Sequence, residues 1–406
     1  MINFFLIPTT KKFSWKHVFE VDATSAPVLN YLQVARDALS GLDKASAPDA
    51  YELLESYSPH VWSLFTFVMN TKNSGGSIYI KRTPEIKWQS TLTKSSNFYV
   101  SKSVYLETAM VFFGKASTTF MAATSLVKTI SAENYEDVIK NISSKIKKAA
   151  AIWQFTIDSI LSNITSLPEE YCPELSAELC EAMISFCAAS LDEITVTLGL
   201  LKGSSPALLA KIAASAAVNA QDALFKLEAC PINYLLCNEV TDCMAYMVAF
   251  NKYRSFILQA MDTKSRGNHG EAVGYCKAAL EELKTKQAKK VSSKVIKAFN
   301  ENFKLELEIL QKNAHDIEME NNHIYYQIVP DKAMLNSSEV KSIANFDTMD
   351  APNLLWTNLK IKSKKSKADN KTDDKNTVSD TDFLTFGEFI NPNDAENDEN
   401  DNKTSA

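Results

Sequence analysis

Gly203-Ser204-Ser205-Pro206 separates two long stretches, 174–201 and 207–228, in which apolar residues recur every three or four positions. Residues at that spacing lie on one side of an α-helix. Glycine is favoured just after the end of a helix, and proline is favoured in the first turn of the next one. The sequence therefore predicts two consecutive long helices joined by a short turn.

The same periodicity continues on both sides of this turn. Towards the C-terminus it predicts helices over 232–263, 270–286 and 292–320, and towards the N-terminus it begins near residue 101. Many of these helices are apolar on more than one side, which is typical of helices packed between neighbours in an α-solenoid. Residues 267–280 also have the small-and-aromatic pattern of a tetratricopeptide helix pair, although no repeat of fixed period follows. The periodic positions nearest the start are Leu106, Met110, Phe113, Phe120 and Val127, followed by Val138, Ile142, Ala149, Trp153 and Ile160.

Little of the chain has the character of a β-sheet. Only 10 glycines and 12 prolines occur, which argues against a turn-rich β architecture. Residues 1–45 are mixed and extended in character, and Phe13–Lys16 and Ile86–Gln89 alternate apolar and polar residues, which predicts short strands. We therefore predict a mostly α fold with a few short strands.

The composition changes after residue 357. A basic run, Lys360–Lys367, precedes residues 368–406, which hold eight aspartates, three glutamates and three lysines, a net charge of −8. Such a segment cannot bury enough apolar surface to order itself, so we predict an ordered domain at 1–356 and a disordered tail at 357–406. The basic run is interpreted as a solvated linker, with attraction to anionic lipid as the alternative.

An aromatic island interrupts the acidic tail. Phe383, Phe386, Phe389 and Ile390 lie within eight residues of one another. Disordered segments often bind partners through such islands. We expect this one to be a short partner-binding motif or, equally, an intramolecular lid over the protein's own apolar surface.

No pattern typical of an enzyme or a metal site is found. The five histidines are scattered, and the chain has no phosphate-binding glycine loop, nucleophile elbow or paired-histidine helix. We therefore expect no enzymatic activity, no cofactor, no metal and no small-molecule substrate. A catalytic site assembled from distant residues remains an alternative.

Charge and cysteine content favour a cytoplasmic protein. The net charge of −6 does not suggest a nucleic-acid binder. The seven cysteines are odd in number and lie mainly in apolar helical stretches, which is typical of buried free thiols in a reducing compartment. The N-terminus lacks the features of a signal peptide, and we expect no apolar run long enough to span a membrane.

Four segments resemble the BRO-domain family of Alix-type endosomal scaffolds. The strongest is ENNHIYYQIVP at residues 320–330, which is similar to the family's Asn-x-Ile-Tyr-x-x-x-Val/Ile-Pro signature. KWQSTL at residues 87–92 resembles a family strand, and ALLAKIA at residues 207–213 resembles the family helix after the turn. Residues 270–280 resemble its tetratricopeptide-like pair. The resemblance covers about residues 1–355 and implies an elongated BRO-type helical domain with a tetratricopeptide-like core.

The resemblance also implies a partner. Members of the family bind the C-terminal amphipathic helix of an ESCRT-III subunit, a charged multivesicular body protein, in a shallow apolar groove, and they act in endosomal sorting or membrane remodelling. The family's groove positions correspond to Thr195, Leu208 and Ile212. Thr195 replaces an aromatic residue, so we expect weaker binding. Leu208 and Ile212 could instead be ordinary core residues, and the scaffold could serve another client, such as a Rho-pathway or cytoskeletal protein.

The C-terminus differs from that of the family's single-domain members, which the chain otherwise resembles in length. Those members carry a prenylated cysteine box, whereas this chain ends Lys403-Thr404-Ser405-Ala406 and its last cysteine is Cys276. We expect no lipid anchor by that route and at most peripheral membrane association, with recruitment to endosomal membranes through ESCRT-III.

Overall fold

Helices dominate the part of the chain that the computed structural model describes. That part is residues 3–355, apart from 22, 24, 70–77, 94–96, 132, 165–166, 168–170, 286–287, 289, 332–339 and 341–342. The helices are α1 (Trp15–Val18), α2 (Ala26–Ala38), α3 (Ala47–Met69), α4 (Val104–Val127), α5 (Tyr135–Ser159), α6 (Ala177–Leu201), α7 (Pro206–Ala229), α8 (Asn238–Ser265), α9 (His269–Glu282), α10 (Ser293–Asn302) and α11 (Lys304–Glu320). The strands are β1 (Thr9–Thr10), β2 (Phe19–Val21), β3 (Ile78–Ile80), β4 (Ile86–Gln89) and β5 (Tyr99–Ser101). The prediction of a mostly α fold with a few short strands is confirmed.

The turn at 203–206 has the geometry that its sequence predicts. Gly203 has φ 70°, in the left-handed region that glycine adopts at little cost, and Pro206 begins α7. The amide of Ser204 donates to the carbonyl of Gly199 at 2.8 Å, which closes the end of α6. A Cβ atom on Gly199 would lie 2.3 Å from a methyl group of Leu209, so α6 and α7 approach closely beside the turn.

Three local predictions are wrong. The strand predicted at 13–16 is absent, because a helical turn begins at Trp15. The ring of Trp15 is fully buried. Residues 1–45 contain the 13-residue helix α2. The helix predicted at 292–320 is two helices, since the backbone of Phe303 leaves the helical region (φ −112°, ψ 20°) where its ring packs against Phe250 and Phe299.

The chain divides into two compact units. The first, which we call the sheet unit, comprises Phe5–Thr119, Ile152–Ala177 and, of the described residues that follow, 348–355. Its three-stranded antiparallel sheet has the order β1-β4-β5, with Thr10 opposite Trp88 and Trp88 opposite Tyr99. Strands β2 and β3 form a separate antiparallel pair. The strand predicted at Ile86–Gln89 is therefore confirmed as the centre of a sheet.

A buried polar network holds the sheet unit together. The Glu107 carboxylate pairs with the Arg36 guanidinium at 2.6 Å and accepts hydrogen bonds from the Trp88 indole at 2.5 Å and the Tyr57 hydroxyl at 2.9 Å. Burial, followed by the neighbouring Glu107 charge, raises the pKa of Tyr57 well above its usual value. The hydrogen-bonding capacity of this buried carboxylate is used by these donors, and the network ties β4 to three helices.

The second unit, which we call the helical unit, comprises Met1–Phe4, Phe120–Ala151 and Glu178–Asp347. In it α7 packs on α8, α8 packs on α9, and α11 packs on both α8 and α9. Helix α8 is buried around most of its circumference, which explains why its apolar residues form no single stripe. The core between these helices includes Leu209, Ile212, Ile257 and Leu310.

Arg254 of α8 is the polar centre of the helical unit. It is fully buried, and its guanidinium binds both carboxylate oxygens of Glu306, at 2.6 and 2.9 Å, in a two-pronged ion pair. A third guanidinium nitrogen donates to the side-chain oxygen of Asn251 at 2.8 Å. The main-chain carbonyl of Glu193 accepts a further hydrogen bond from the guanidinium at 3.0 Å. These bonds connect α6, α8 and α11, and α7 packs on α8, so α6 and α7 are both attached to the same central helix.

Candidate functional site

The three residues predicted to bind a partner have different environments. Thr195 is half-buried, and its hydroxyl donates to the carbonyl of Leu191 at 2.8 Å within α6. Leu208, in the first turn of α7, is 39% exposed. Ile212, one turn later, is only 4% exposed and packs in the core of the helical unit. For Ile212 the burial favours core packing, the alternative that the sequence left open, while partner contact at Thr195 and Leu208 remains a prediction.

Helices α6 and α7 are joined where Asp192 bonds to Ser215 and Asn219, and they approach closely where Gly199 faces Leu209. We call the line through these contacts the α6–α7 seam. Thr195, about one turn after Asp192, and Leu208, beside Leu209, are assigned to it by their positions along the helices. The Asp192 side chain lies at its middle and is fully buried. One carboxylate oxygen accepts from the Ser215 hydroxyl at 2.6 Å and from the Asn219 amide at 3.0 Å. These bonds pair the two helices at a fixed register.

A third segment reaches the same carboxylate. The backbone N–H of Ile343 donates to the other oxygen of Asp192 at 3.0 Å. A hydrogen bond to a buried charged group is among the stronger ones in proteins, so the chain at 343 is held on the seam. The Ile343 side chain is 42% exposed. Neither Asp192 nor Ile343 was predicted as a site residue. The one sequence feature that distinguishes Asp192 is its acidic side chain among the apolar residues of α6.

The seam continues as a polar cluster at its far end. Ser185 donates to the Asp222 carboxylate at 2.6 Å, and the Lys226 ammonium lies 2.9 Å from the same oxygen. Burial alone would raise the pKa of Asp222, but the hydrogen bonds from Ser185 and Lys226 and the lysine charge hold it below its usual value. Asp222 therefore stays charged at neutral pH, and this end of the seam is hydrophilic.

Further apolar side chains of the helical unit are exposed. Val218 and Phe225, seven residues apart on α7, are 51% and 67% exposed. A cavity of about 440 Å³ lies between the ends of α4 and α6 and the start of α11, and Leu305, 60% exposed, is at its edge. Its other apolar lining residues are Val127, Ile130, Leu200, Leu201, Phe303 and Ile309.

The thiols are unsuited to nucleophilic chemistry. All seven cysteines are free, and Cys237 is the one that is not fully buried. Burial raises the pKa of Cys172 and Cys187 well above the usual value, and it raises that of Cys276 to about 12. A thiol with a raised pKa is protonated at neutral pH and therefore a weak nucleophile. Within the described residues no three histidine, cysteine or acidic side chains are grouped to hold a metal ion.

Two helices are long and apolar enough to cross a membrane by length and composition. They are α4 and α6, with mean hydropathies of 1.2 and 1.5 over their most apolar 18 residues. We predicted no apolar run of this length from the sequence, because a few polar residues interrupt the apolar stretch of each helix. Their apolar windows are 72% and 67% buried in the protein, as core helices are, so this is weak evidence for a membrane span.

Two predictions fall on the C-terminal segment. The aromatic island of Phe383, Phe386, Phe389 and Ile390 and the tail predicted from residue 357 lie outside the described residues. The boundary of the ordered domain at residue 356 stays a prediction.

The fold is similar to that of solved structures. One is ALIX in complex with the SIVmac239 PYKEVTEDL late domain, with a TM-score of 0.61 and 16% identity over 87% of this chain and 50% of that one. Another, described as the structural basis for endosomal targeting by the Bro1 domain, has a TM-score of 0.61 and 15% identity over 86% of this chain and 94% of that one. A third, the complex of the ALIX BRO1 domain with CHMP4C, has a TM-score of 0.57 and 16% identity over 87% and 96% of the two chains.

Sequence comparison identifies the family directly. No curated protein sequence matches the chain significantly. The chain spans half the length of the ALIX chain in the late-domain complex and nearly all of the two BRO-domain chains. Residues 30–375 match the family model of the BRO1-like domain. This range is most of the 406 residues. With the helical fold and the similar solved structures, this match shows that the chain belongs to the BRO1-like domain family.

Proposed function

We propose that this protein is a non-enzymatic adaptor that binds the C-terminal amphipathic helix of an ESCRT-III subunit on the α6–α7 seam. The observation that carries the proposal is Leu208, an apolar side chain 39% exposed on a helix pair that the Asp192–Ser215 hydrogen bond joins. Helix-in-groove recognition needs such anchors at fixed spacing on a firm surface. The similar fold of a BRO1 domain in complex with CHMP4C supports an ESCRT-III subunit as the kind of partner.

Leu208 and Thr195 have unequal roles in this proposal. Leu208 is the apolar anchor, and Thr195 contributes a smaller contact from the facing helix. Ile212, one turn after Leu208, packs in the core of the helical unit and does not itself contact the partner. With one large anchor where the family resemblance implies three apolar positions, we expect a weak interaction that depends on further contacts.

The test is binding of a fluorescent peptide that covers the C-terminal helix of CHMP4C to the full-length protein, measured by fluorescence anisotropy. Leu208→Asp should lower the affinity at least about tenfold, since a charge on an interface anchor must be desolvated against an apolar partner. Phe225→Asp is the matched control, because Phe225 is also an exposed apolar residue of α7 but lies seventeen residues, or about 25 Å, from Leu208 along the helix. Unchanged affinity in Leu208→Asp contradicts the proposed site.

A different client of the same scaffold is the second candidate. Thr195 stands where the family resemblance implies an aromatic residue, and the burial of Ile212 removes another anchor. A Rho-pathway or cytoskeletal protein would then take the place of the ESCRT-III helix. Wild-type protein that binds no ESCRT-III C-terminal peptide, together with capture of such a client, would favour this candidate.

The proposal extends to the setting in which the adaptor acts. We propose that the chain resembles BROX, a single-domain member of the family, and that it acts in endosomal sorting or membrane remodelling. We propose that it is cytoplasmic and reaches endosomal membranes by binding ESCRT-III, with no nucleic acid and no small-molecule substrate. Localisation to endosomes that persists in Leu208→Asp would contradict recruitment by this route.

A further inference from the structure

The segment at Ile343 lies on the surface that the proposed partner would use. Its N–H group is bonded to Asp192 at 3.0 Å, and Asp192 is bonded to Ser215 at 2.6 Å. Thr195 follows Asp192 by three residues, which is about one turn along α6. Ile343 therefore adds an apolar side chain, 42% exposed, next to the position where Thr195 lacks a large one.

The spacing along the seam suits an amphipathic helix. Leu208 precedes Ser215 by seven residues, which corresponds to about 10.5 Å along α7. The same rise separates residues i and i+7 of a partner helix that runs along the seam. Ile343, held at the level of Ser215, thus lies one such interval from Leu208, and Thr195 lies between them.

The polar groups beneath this surface are already paired. The Asp192 oxygens accept from Ser215, Asn219 and Ile343, and the Thr195 hydroxyl donates to Leu191. An apolar partner surface can cover groups that already have hydrogen bonds at lower cost than unpaired ones. Asp222 and Lys226 lie about two and three turns beyond Ser215 along α7, and their charges limit the apolar stretch.

We infer that Ile343 is a second anchor of the docking surface, so that the partner helix binds α6, α7 and the segment at 343 together. The inference rests on the proposed function and deepens it. Ile343 and Leu208 receive side chains i+7 and i of the ESCRT-III helix, and the contact at Ile343 offsets the small side chain at Thr195. The Asp192 hydrogen bond positions the segment and does not itself contact the partner.

Two variants of Ile343 separate the side chain from the hydrogen bond. Ile343→Asp keeps the N–H donor and replaces the apolar group with a charge, and Ile343→Pro removes the donor. Val218→Asp is the control, since Val218 is similarly exposed on α7 but lies about 80° around the helix axis from Leu208. Affinity of the full-length protein for the CHMP4C C-terminal peptide is measured by anisotropy, and thermal unfolding checks that each variant is folded.

Ile343→Asp should weaken binding about tenfold or more, and Ile343→Pro should weaken it at least about threefold, while Val218→Asp stays within about twofold of wild type. Wild-type affinity in Ile343→Asp overturns the inference. Tighter binding in Ile343→Pro also overturns it, because the segment would then compete with the partner. In both cases Leu208→Asp still loses affinity and the proposed function stands. If the wild-type protein binds no peptide at all, the proposed function and this inference fail together.

Discussion

Ile212→Ala and Leu208→Ala form a pair that separates core packing from partner contact. Ile212 is 4% exposed, so its truncation removes three carbons from a packed core and should lower the free energy of unfolding by about 2–4 kcal/mol. Leu208 already has 39% of its surface in water. Its truncation should cost only about 1 kcal/mol of stability, because less apolar surface is returned to solvent.

The effects on binding should have the opposite order. Leu208→Ala removes an anchor and should weaken binding of the CHMP4C peptide by about 1–2 kcal/mol, a loss of affinity of roughly five- to thirtyfold. Ile212→Ala should leave the affinity within about twofold, since its side chain presents almost no surface to a partner. Urea denaturation measures the stability of both variants, and anisotropy at a temperature where both are folded measures the affinity.

One combination of results refutes the reasoning. If Ile212→Ala unfolds at the same urea concentration as the wild-type protein but its affinity for the peptide falls about tenfold, Ile212 contacts the partner and is not a core residue. Leu208→Val is a useful control, since it keeps an apolar side chain at the seam and should fall between wild type and Leu208→Ala in affinity.

Three further changes test other parts of the molecule. Glu107→Gln should destabilise the sheet unit by about 3–5 kcal/mol in chemical denaturation, because it leaves a buried arginine without its counter-charge, and it should not change peptide affinity in the folded protein. Truncation after Lys367 should raise peptide affinity if residues 383–390 act as a lid; if they are a motif, affinity stays the same and a tail-dependent partner disappears from pull-downs. At pH 8 a thiol reagent should label Cys237 before Cys187, whose raised pKa keeps its buried thiol protonated until far higher pH, and equal rates in mass spectrometry would contradict this order.

The helices that pack through regular apolar faces could be predicted from sequence. The periods around Gly203–Pro206 place α6 and α7 to within three residues of their observed ends. Helix α3 was missed, and it contains Pro59, which sequence rules treat as a helix breaker. The structure tolerates it because the Ser58 hydroxyl donates to the Glu55 carbonyl, which the missing proline N–H leaves available. Such local compensation depends on side-chain geometry that periodicity does not contain.

The seam was only partly predictable. The position of Leu208 in the first turn of α7 follows from the proline before it, and its exposure is consistent with that place. Whether Ile212 faces a partner or the core depends on α8 and α9, which begin 26 and 57 residues later. The hydrogen bond between Asp192 and Ile343 joins residues 151 apart through a backbone N–H, so no side-chain type marks it.

That hydrogen bond also has a consequence for the order in which the protein is built. Synthesis proceeds from the N-terminus, so α6 and α7 emerge and can pair through Asp192 and Ser215 while more than a hundred residues are still to be made. During this interval the second oxygen of Asp192 has no hydrogen bond from the Ile343 amide. The newly formed pair of α6 and α7 therefore has one stabilising contact fewer than in the complete chain. Contacts between distant residues form late because closing a long loop is entropically costly. A fragment that ends before Ile343 keeps the helix pair in this early state, with its seam uncovered and open to chaperones or to premature partners.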